Sequence, residues 1–142
     1  MLSKAIKIAA EAFEGKYDKG GQPYILHCLH EMNAVKDYGE DYMIVGVLHD
    51  LLEDTYWTPL QLQKEGFTDE QIYALRLLTH TPKESYDTYI QRVSQNTIAR
   101  TIKMADLRHN SDIMRMKGLR EKDFLRLEKY HKAYAYLKKC NA

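Results

Sequence analysis

In the stretch Val47-Leu48-His49-Asp50-Leu51-Leu52-Glu53-Asp54, four polar side chains interrupt the most apolar run of the chain. His49 and Glu53 are four residues apart, as are Asp50 and Asp54, so on a helix the two pairs lie side by side along one stripe. Three carboxylates crowded on a buried stripe repel one another and lose hydration, at a cost on the order of several kcal/mol per isolated charge. A divalent cation is the simplest compensation, and the stripe is then one wall of a metal site. The plainer alternative is a helix that ends at solvent, with Glu53 and Asp54 finishing it near Thr55. Adjacent His and Asp flanked by leucines are an expensive way to build such an end.

Two other positions offer ligands of the same kind. His27, in Pro23-Tyr24-Ile25-Leu26-His27, falls just inside the second expected helix. A lone helical histidine is more often a satisfied core residue, and His30 competes for the same face. Asp106 stands among Ile102, Met104 and Leu107 in mid-helix, where aspartate is a poor helix former. By itself it is as readily a partner of Arg108 or Lys103. Together, two imidazoles and two carboxylates make a mixed nitrogen and oxygen set suited to Mn²⁺, with Fe²⁺, Co²⁺ or Zn²⁺ also compatible and Mg²⁺ alone a poorer fit. Such a set leaves coordination positions open, so a bound water becomes acidic enough to attack phosphorus. Glu53 and Asp54, one turn on, are placed to orient that water, take its proton or protonate a leaving oxygen.

These residues require helices to carry them, and helical period dominates the chain, without sustained alternation or internal repeats. The expected fold is an all-α bundle of about seven or eight helices. Ile6, Ala9, Ala10 and Phe13 line one face of a first helix, and Gly15, Gly20 and Gly21 mark the loop after it. A second helix runs from about Tyr24 to Tyr38, started by Pro23 and closed by Gly39. Asp41 caps a third, Tyr42 to about Asp54, apolar on nearly every side and therefore central. Thr58-Pro59 starts a short helix ending at Gly66, and Thr68 with Gln71 forms a capping box for one running to about Leu78. Ser85 opens a segment through Gln95, Thr97 one through about Met116, and Glu121 to Cys140 forms a last amphipathic helix. No linker divides the chain, so residues 1–142 are expected to form one domain.

A chain of 142 residues can remove roughly two-thirds of its unfolded surface from water, enough for a core without staples. Its 44% apolar and 29% charged residues exclude a disordered or fibrous class. With 21 Lys and Arg against 20 Asp and Glu, no net field draws the whole molecule to nucleic acid or an anionic membrane. Cys28 and Cys140 have no metal-finger or redox spacing and are expected as idle thiols in a reducing cytoplasm. No apolar run approaches the ~20 residues that span a bilayer. A cytoplasmic protein is expected, with a small-molecule partner rather than nucleic acid or membrane.

The order His27, His49-Asp50, Asp106 resembles the H…HD…D signature of the HD superfamily. Gly21-Gln22-Pro23-Tyr24-Ile25-Leu26-His27, Leu48-His49-Asp50-Leu51-Leu52-Glu53-Asp54-Thr55, and Lys103-Met104-Ala105-Asp106 followed by His109-Asn110 look like the hydrolase domain of RelA/SpoT proteins. Small stand-alone alarmone hydrolases are the nearest type. The resemblance covers almost the whole chain, in order. It implies Mn²⁺-dependent removal of the 3′-pyrophosphate from (p)ppGpp, giving GDP or GTP and pyrophosphate, with the stringent response as its setting. By the same resemblance His27, His49, Asp50 and Asp106 hold the metal, and Glu53 and Asp54 are the catalytic acidic pair. Asn110 matches a position near the nucleotide's sugar, and Tyr130 one that borders the pocket. A chain of this length is expected to act as a hydrolase alone, without a synthetase domain or regulatory tail.

Some positions depart from the pattern. The two adjacent basic residues usual ahead of the loop glycine read Asp18-Lys19, so one substrate-facing charge is lost or supplied elsewhere. Phe13 replaces a familiar histidine, and the Arg-Leu after the last metal aspartate is inverted to Leu107-Arg108. Lys19 remains a candidate substrate contact, and Lys83 a second source of pocket charge, although a loop lysine is ordinarily just solvated. The altered pair keeps a second enzyme reading alive: an HD nucleotidase or phosphohydrolase for another nucleotide. A third is a catalytically inactive HD module that binds a nucleotide, against which the intact Glu53 and Asp54 argue. The 11 tyrosines are expected chiefly as helix packing, with one or two free to stack on a base.

Overall fold

The computed structural model describes residues 1–141. Its helices are α1 (Leu2–Ala12), α2 (Ile25–Ala34), α3 (Glu40–Leu48), α4 (Leu51–Asp54), α5 (Pro59–Lys64), α6 (Asp69–Leu77), α7 (Tyr86–Val93), α8 (Thr97–Asn110) and α9 (Glu121–Cys140). The fold is all-α, as the periodicity predicts; among the described residues the extended structure is one isolated bridge, Tyr17 to Pro23. The Thr58/Gln61 and Thr68/Gln71 capping boxes form, and Ser85 caps α7. None of these helices is long and apolar enough to cross a membrane.

The central element is α3, because Ile44, Val45, Val47 and Leu48 are buried on all sides of it. It packs against α1, α2, α6 and α8. Its closest approach is to α2 at Gly46, where an added Cβ would stand 3.2 Å from the Glu31 carbonyl oxygen and 3.3 Å from Met32 Cα. α2, α3 and α8 thus converge, and these are the elements that carry the candidate ligands.

Five local expectations are corrected. The third helix does not run unbroken to Asp54: it stops at Leu48, and Asp50 (φ −99°, ψ 1°) turns the backbone before α4 restarts for one turn. Counted through this break, the helices number eight among the described residues. Gly39 (φ 110°), not Asp41, precedes α3, and Asp41 instead accepts a 2.7 Å hydrogen bond from Gln71 Nε2. α2 ends at Ala34 rather than Tyr38, with Lys36–Tyr38 tightened into a 3-10 turn. α8 is capped by Asn96 rather than Thr97 and ends at Asn110. There Asp112 accepts from Met114 N and holds a separate 3-10 turn, Ile113–Arg115, against continuation of the helix. The inward face of α1 is Ala5, Ile8 and Ala9 with Phe13 beyond it, while Ala10 is exposed.

Candidate functional site

Four side chains from α2, the α3–α4 break and α8 meet at one point. His27 Nε2 lies 3.0 Å from Asp106 Oδ1 and 3.9 Å from Asp50 Oδ2. His49 Nε2 lies 3.0 Å from Asp50 Oδ2 and 3.3 Å from Asp106 Oδ1. The backbone break brings this about, since neighbours on an unbroken helix point about 100° apart. His27, His49 and Asp106 are almost wholly buried, and Asp50 is half-buried.

The chemistry of the cluster fits a divalent cation. His49 Nδ1 is 2.8 Å from the Gly46 carbonyl, so that nitrogen donates to the backbone and Nε2 faces the carboxylates. Nε2 is buried and makes no hydrogen bond of acceptable geometry, although two carboxylate oxygens stand within 3.3 Å. A buried imidazole nitrogen aimed at two carboxylates without a satisfactory hydrogen bond is the arrangement a cation resolves, by taking the place of a proton there. His27 Nδ1 meets His109 Nδ1 at 2.7 Å, which frees His27 Nε2 for the cluster when His27 is the donor. Burial and the charge of Arg115 push the His109 imidazole down to about 4, so it is a neutral acceptor.

The same charges shift His49, Asp50 and Asp106. Burial alone would lower the basicity of His49, but Asp50 and Asp106 hold it well above its ordinary value. Burial would raise the Asp106 carboxyl, yet Lys103 and His49 hold it well below the usual range, and His49 lowers Asp50 against the same effect of burial. Each carboxylate is also tied from outside. The Tyr24 hydroxyl donates to Asp50 Oδ2, Lys103 Nζ stands 3.0 Å from Asp106 Oδ2, and Asn110 Nδ2 donates to Asp106 Oδ1 at 2.9 Å.

Glu53 and Asp54 follow on α4, held by other parts of the chain. Glu53 Oε1 accepts from His80 N at 2.7 Å, and Asp54 Oδ2 pairs with Lys16 Nζ at 3.0 Å. Partial burial raises the Glu53 carboxyl in spite of that backbone bond.

Beside the cluster opens a cavity of about 1160 Å³. Tyr24, Asn110 and Lys16 lie on its wall, and each reaches back to a carboxylate described above. Lys19 and Tyr130 also line it. Lys83 does not: it is exposed on the Thr81–Glu84 turn. Eight lysines and arginines line the cavity against three aspartates. Six of those cations, Arg115, Lys117, Arg120, Lys122, Arg126 and Lys129, went unremarked in the sequence, where their recurrence between residues 115 and 129 was the available signal. A molecule with almost no net charge thus gathers eight of its 21 lysines and arginines on one wall.

Sequence reasoning also missed Glu31. It is 0% exposed, and neither carboxylate oxygen has a hydrogen-bond partner. Burial, reinforced by Asp106, pushes it up to about 9, so it is neutral at pH 7. Its four-residue spacing from His27 was the only sign of it in the sequence. Cys28 is a buried thiol and Cys140 an exposed one.

No protein-family model matches the chain. Among curated proteins it is similar to the guanosine-3′,5′-bis(diphosphate) 3′-pyrophosphohydrolase of Borreliella burgdorferi, with 36% identity over 76 residues, 52% of this chain and 11% of that protein. The Haemophilus influenzae protein of the same name is 27% identical over 115 residues, 72% of this chain and 17% of that one. A probable GTP pyrophosphokinase of Mycobacterium leprae is 27% identical over 126 residues, 81% of this chain and 16% of that one. The chain therefore spans less than a fifth of the length of these relatives. Among solved structures it matches a metazoan orthologue of SpoT described as hydrolysing ppGpp, with a TM-score of 0.79, 17% identity, 96% of this chain covered and 84% of that one. The helical fold is that of the metazoan protein, and the sequence is similar to a segment of the 3′-pyrophosphohydrolases named above.

Proposed function

We propose that the chain is a metal-dependent phosphohydrolase that removes the 3′-pyrophosphate of guanosine alarmones, converting (p)ppGpp into GDP or GTP and pyrophosphate. The observation that carries this reading is the cluster of His27, His49, Asp50 and Asp106 beside a cavity walled by cations, with Tyr24 and Asn110 on that wall hydrogen-bonded to its carboxylates. A metal site alone suits many hydrolases. A cation-rich cavity of about 1160 Å³ beside it suits a nucleotide with phosphates at both ends. The relatives named as 3′-pyrophosphohydrolases support that substrate.

His27, His49, Asp50 and Asp106 would hold the ion, and Mn²⁺ suits their two nitrogens and two oxygens. When bound, it supplies Lewis acidity and a water acidic enough to attack phosphorus. The remaining work falls to the chain. Tyr24 and Lys103 fix the orientation of Asp50 and Asp106. Glu53, whose carboxyl is raised by partial burial, takes the proton of the attacking water, while Asp54 and Lys16 form the charged rim of the same turn. The water oxygen bonds to phosphorus as the phosphorus–O3′ bond breaks, and the 3′ oxygen leaves with the proton that Glu53 took from the water. Lys19 and Lys129 neutralise phosphate charge, and Tyr130 borders the base or sugar.

The test is a nucleotide panel with Mn²⁺, following pyrophosphate and nucleoside products. Pyrophosphate release from ppGpp as the fastest reaction is expected. Equal or faster attack on monophosphates or deoxynucleoside triphosphates overturns the alarmone reading in favour of another nucleotide. A wild type as inert as the Glu53→Gln, Asp54→Asn double variant leaves only a binding module.

A further inference from the structure

The loop after α1 and the turn after α8 are locked together. Asp18 Oδ1 accepts from Gln22 N at 2.9 Å, closing the loop, while Asp18 Oδ2 meets Arg115 Nη2 at 3.0 Å, 97 residues away in sequence. The backbones touch as well. A Cβ on Gly20 would stand 2.2 Å from the Arg115 carbonyl oxygen, so only glycine fits there.

Arg115 does more than join two loops. Its Nη1 donates to the His109 carbonyl at 2.8 Å, closing the end of α8, and to Asn110 Oδ1 at 3.3 Å. With its oxygen held there, the Asn110 amide presents Nδ2 to Asp106 Oδ1 at 2.9 Å, the same oxygen that faces His27 and His49. A continuous line of polar contacts runs from Asp18 through Arg115 and Asn110 to Asp106.

We propose that Arg115 is a positioning residue of the metal centre: it sets the Asn110 amide, which aims Asp106, and Asp18 is its anchor at the cavity rim. This rests on the metal-hydrolase reading above. It also gives the acidic residue at position 18 a use. The cation that position lacks enters the cavity from position 115, carried by a guanidinium whose fork can hold Asp18 and Asn110 at once.

The experiment compares wild type, Arg115→Met, Arg115→Lys and Asp18→Asn by calorimetric Mn²⁺ titration without nucleotide, then by ppGpp kinetics. Arg115→Met is expected to weaken Mn²⁺ binding by roughly tenfold to a hundredfold and to lower kcat. Arg115→Lys keeps an ion pair with Asp18 without the fork, so it loses Mn²⁺ affinity with the loops still joined; it carries the test if the methionine variant does not fold. Asp18→Asn leaves the Asn110 contact in place and is expected to change Mn²⁺ affinity by no more than about fivefold, with the larger effect on KM. A mere loop staple predicts that Asp18→Asn and both Arg115 variants bind Mn²⁺ alike, and that result overturns the proposal. The two readings fail separately. Loss of Mn²⁺ affinity in the Arg115 variants with no pyrophosphate released by wild type keeps the positioning role and removes the alarmone substrate. Active wild type with unchanged Mn²⁺ binding in the variants does the reverse.

Discussion

Lys103 Nζ and Asp106 Oδ2 stand 3.0 Å apart within one turn of α8, and both side chains are largely withdrawn from solvent. The lysine satisfies one oxygen of the aspartate and leaves the other to the histidines and Asn110. Lys103→Met strands a buried carboxylate, so the metal-free protein should lose on the order of 3 kcal/mol in urea unfolding. A loss below about 1 kcal/mol would mean that the pair is solvated in solution.

Gly46 is the contact point of α2 and α3, and its carbonyl also fixes His49 Nδ1. Gly46→Ala pushes a methyl group against the Glu31 backbone, at a cost of about 1–3 kcal/mol by overpacking. Denaturation reads the stability term, and a weaker Mn²⁺ affinity reads the displaced His49. Alanine tolerated without either change would contradict the close packing.

Buried Glu31 predicts how the metal-free protein responds to pH. Its carboxyl lies at about 9 in the folded chain against an ordinary 4.5, so the native state holds a proton that the unfolded chain gives up between those values. Folded stability measured in chelator therefore falls as pH rises through that window. Glu31→Gln removes this contribution, and its stability should decline less between pH 5 and pH 9. Parallel pH profiles for the two proteins would show that Glu31 is ionised in the native state.

His49 carries a proton at neutral pH in the metal-free protein, because Asp50 and Asp106 raise it against the opposing effect of burial. A cation taking Nε2 must displace that proton. Mn²⁺ titration at pH 7 in two buffers of different ionisation enthalpy should report release of about one proton, and affinity should rise with pH by up to about tenfold per unit. No release would place the ion away from His49.

The helices and the residues that cluster as candidate ligands were legible in the sequence because both follow local rules. The Thr58-Pro59 start, the capping box at Thr68 and the apolar surround of α3 announce themselves within a few residues. The break at His49-Asp50 was not legible, because nothing local interrupts the helical pattern there; packing between α2 and α8 turns the backbone and brings adjacent residues onto one point. Arg115 was equally hidden. Its meaning lies in a partner 97 residues away and in the early end of α8, which the Asp112 turn sets. Glu31 escaped notice because a glutamate on a half-polar helix is ordinarily solvated, and only the glycine-mediated approach of α3 buries it.

The most direct test of the account is a crystal of the chain grown with Mn²⁺ and measured at the manganese absorption edge. One anomalous peak is predicted, within about 2.1–2.3 Å of His27 Nε2, His49 Nε2 and one oxygen each of Asp50 and Asp106. A peak that excludes His27 or Asp106, or manganese only on exposed carboxylates, would contradict it.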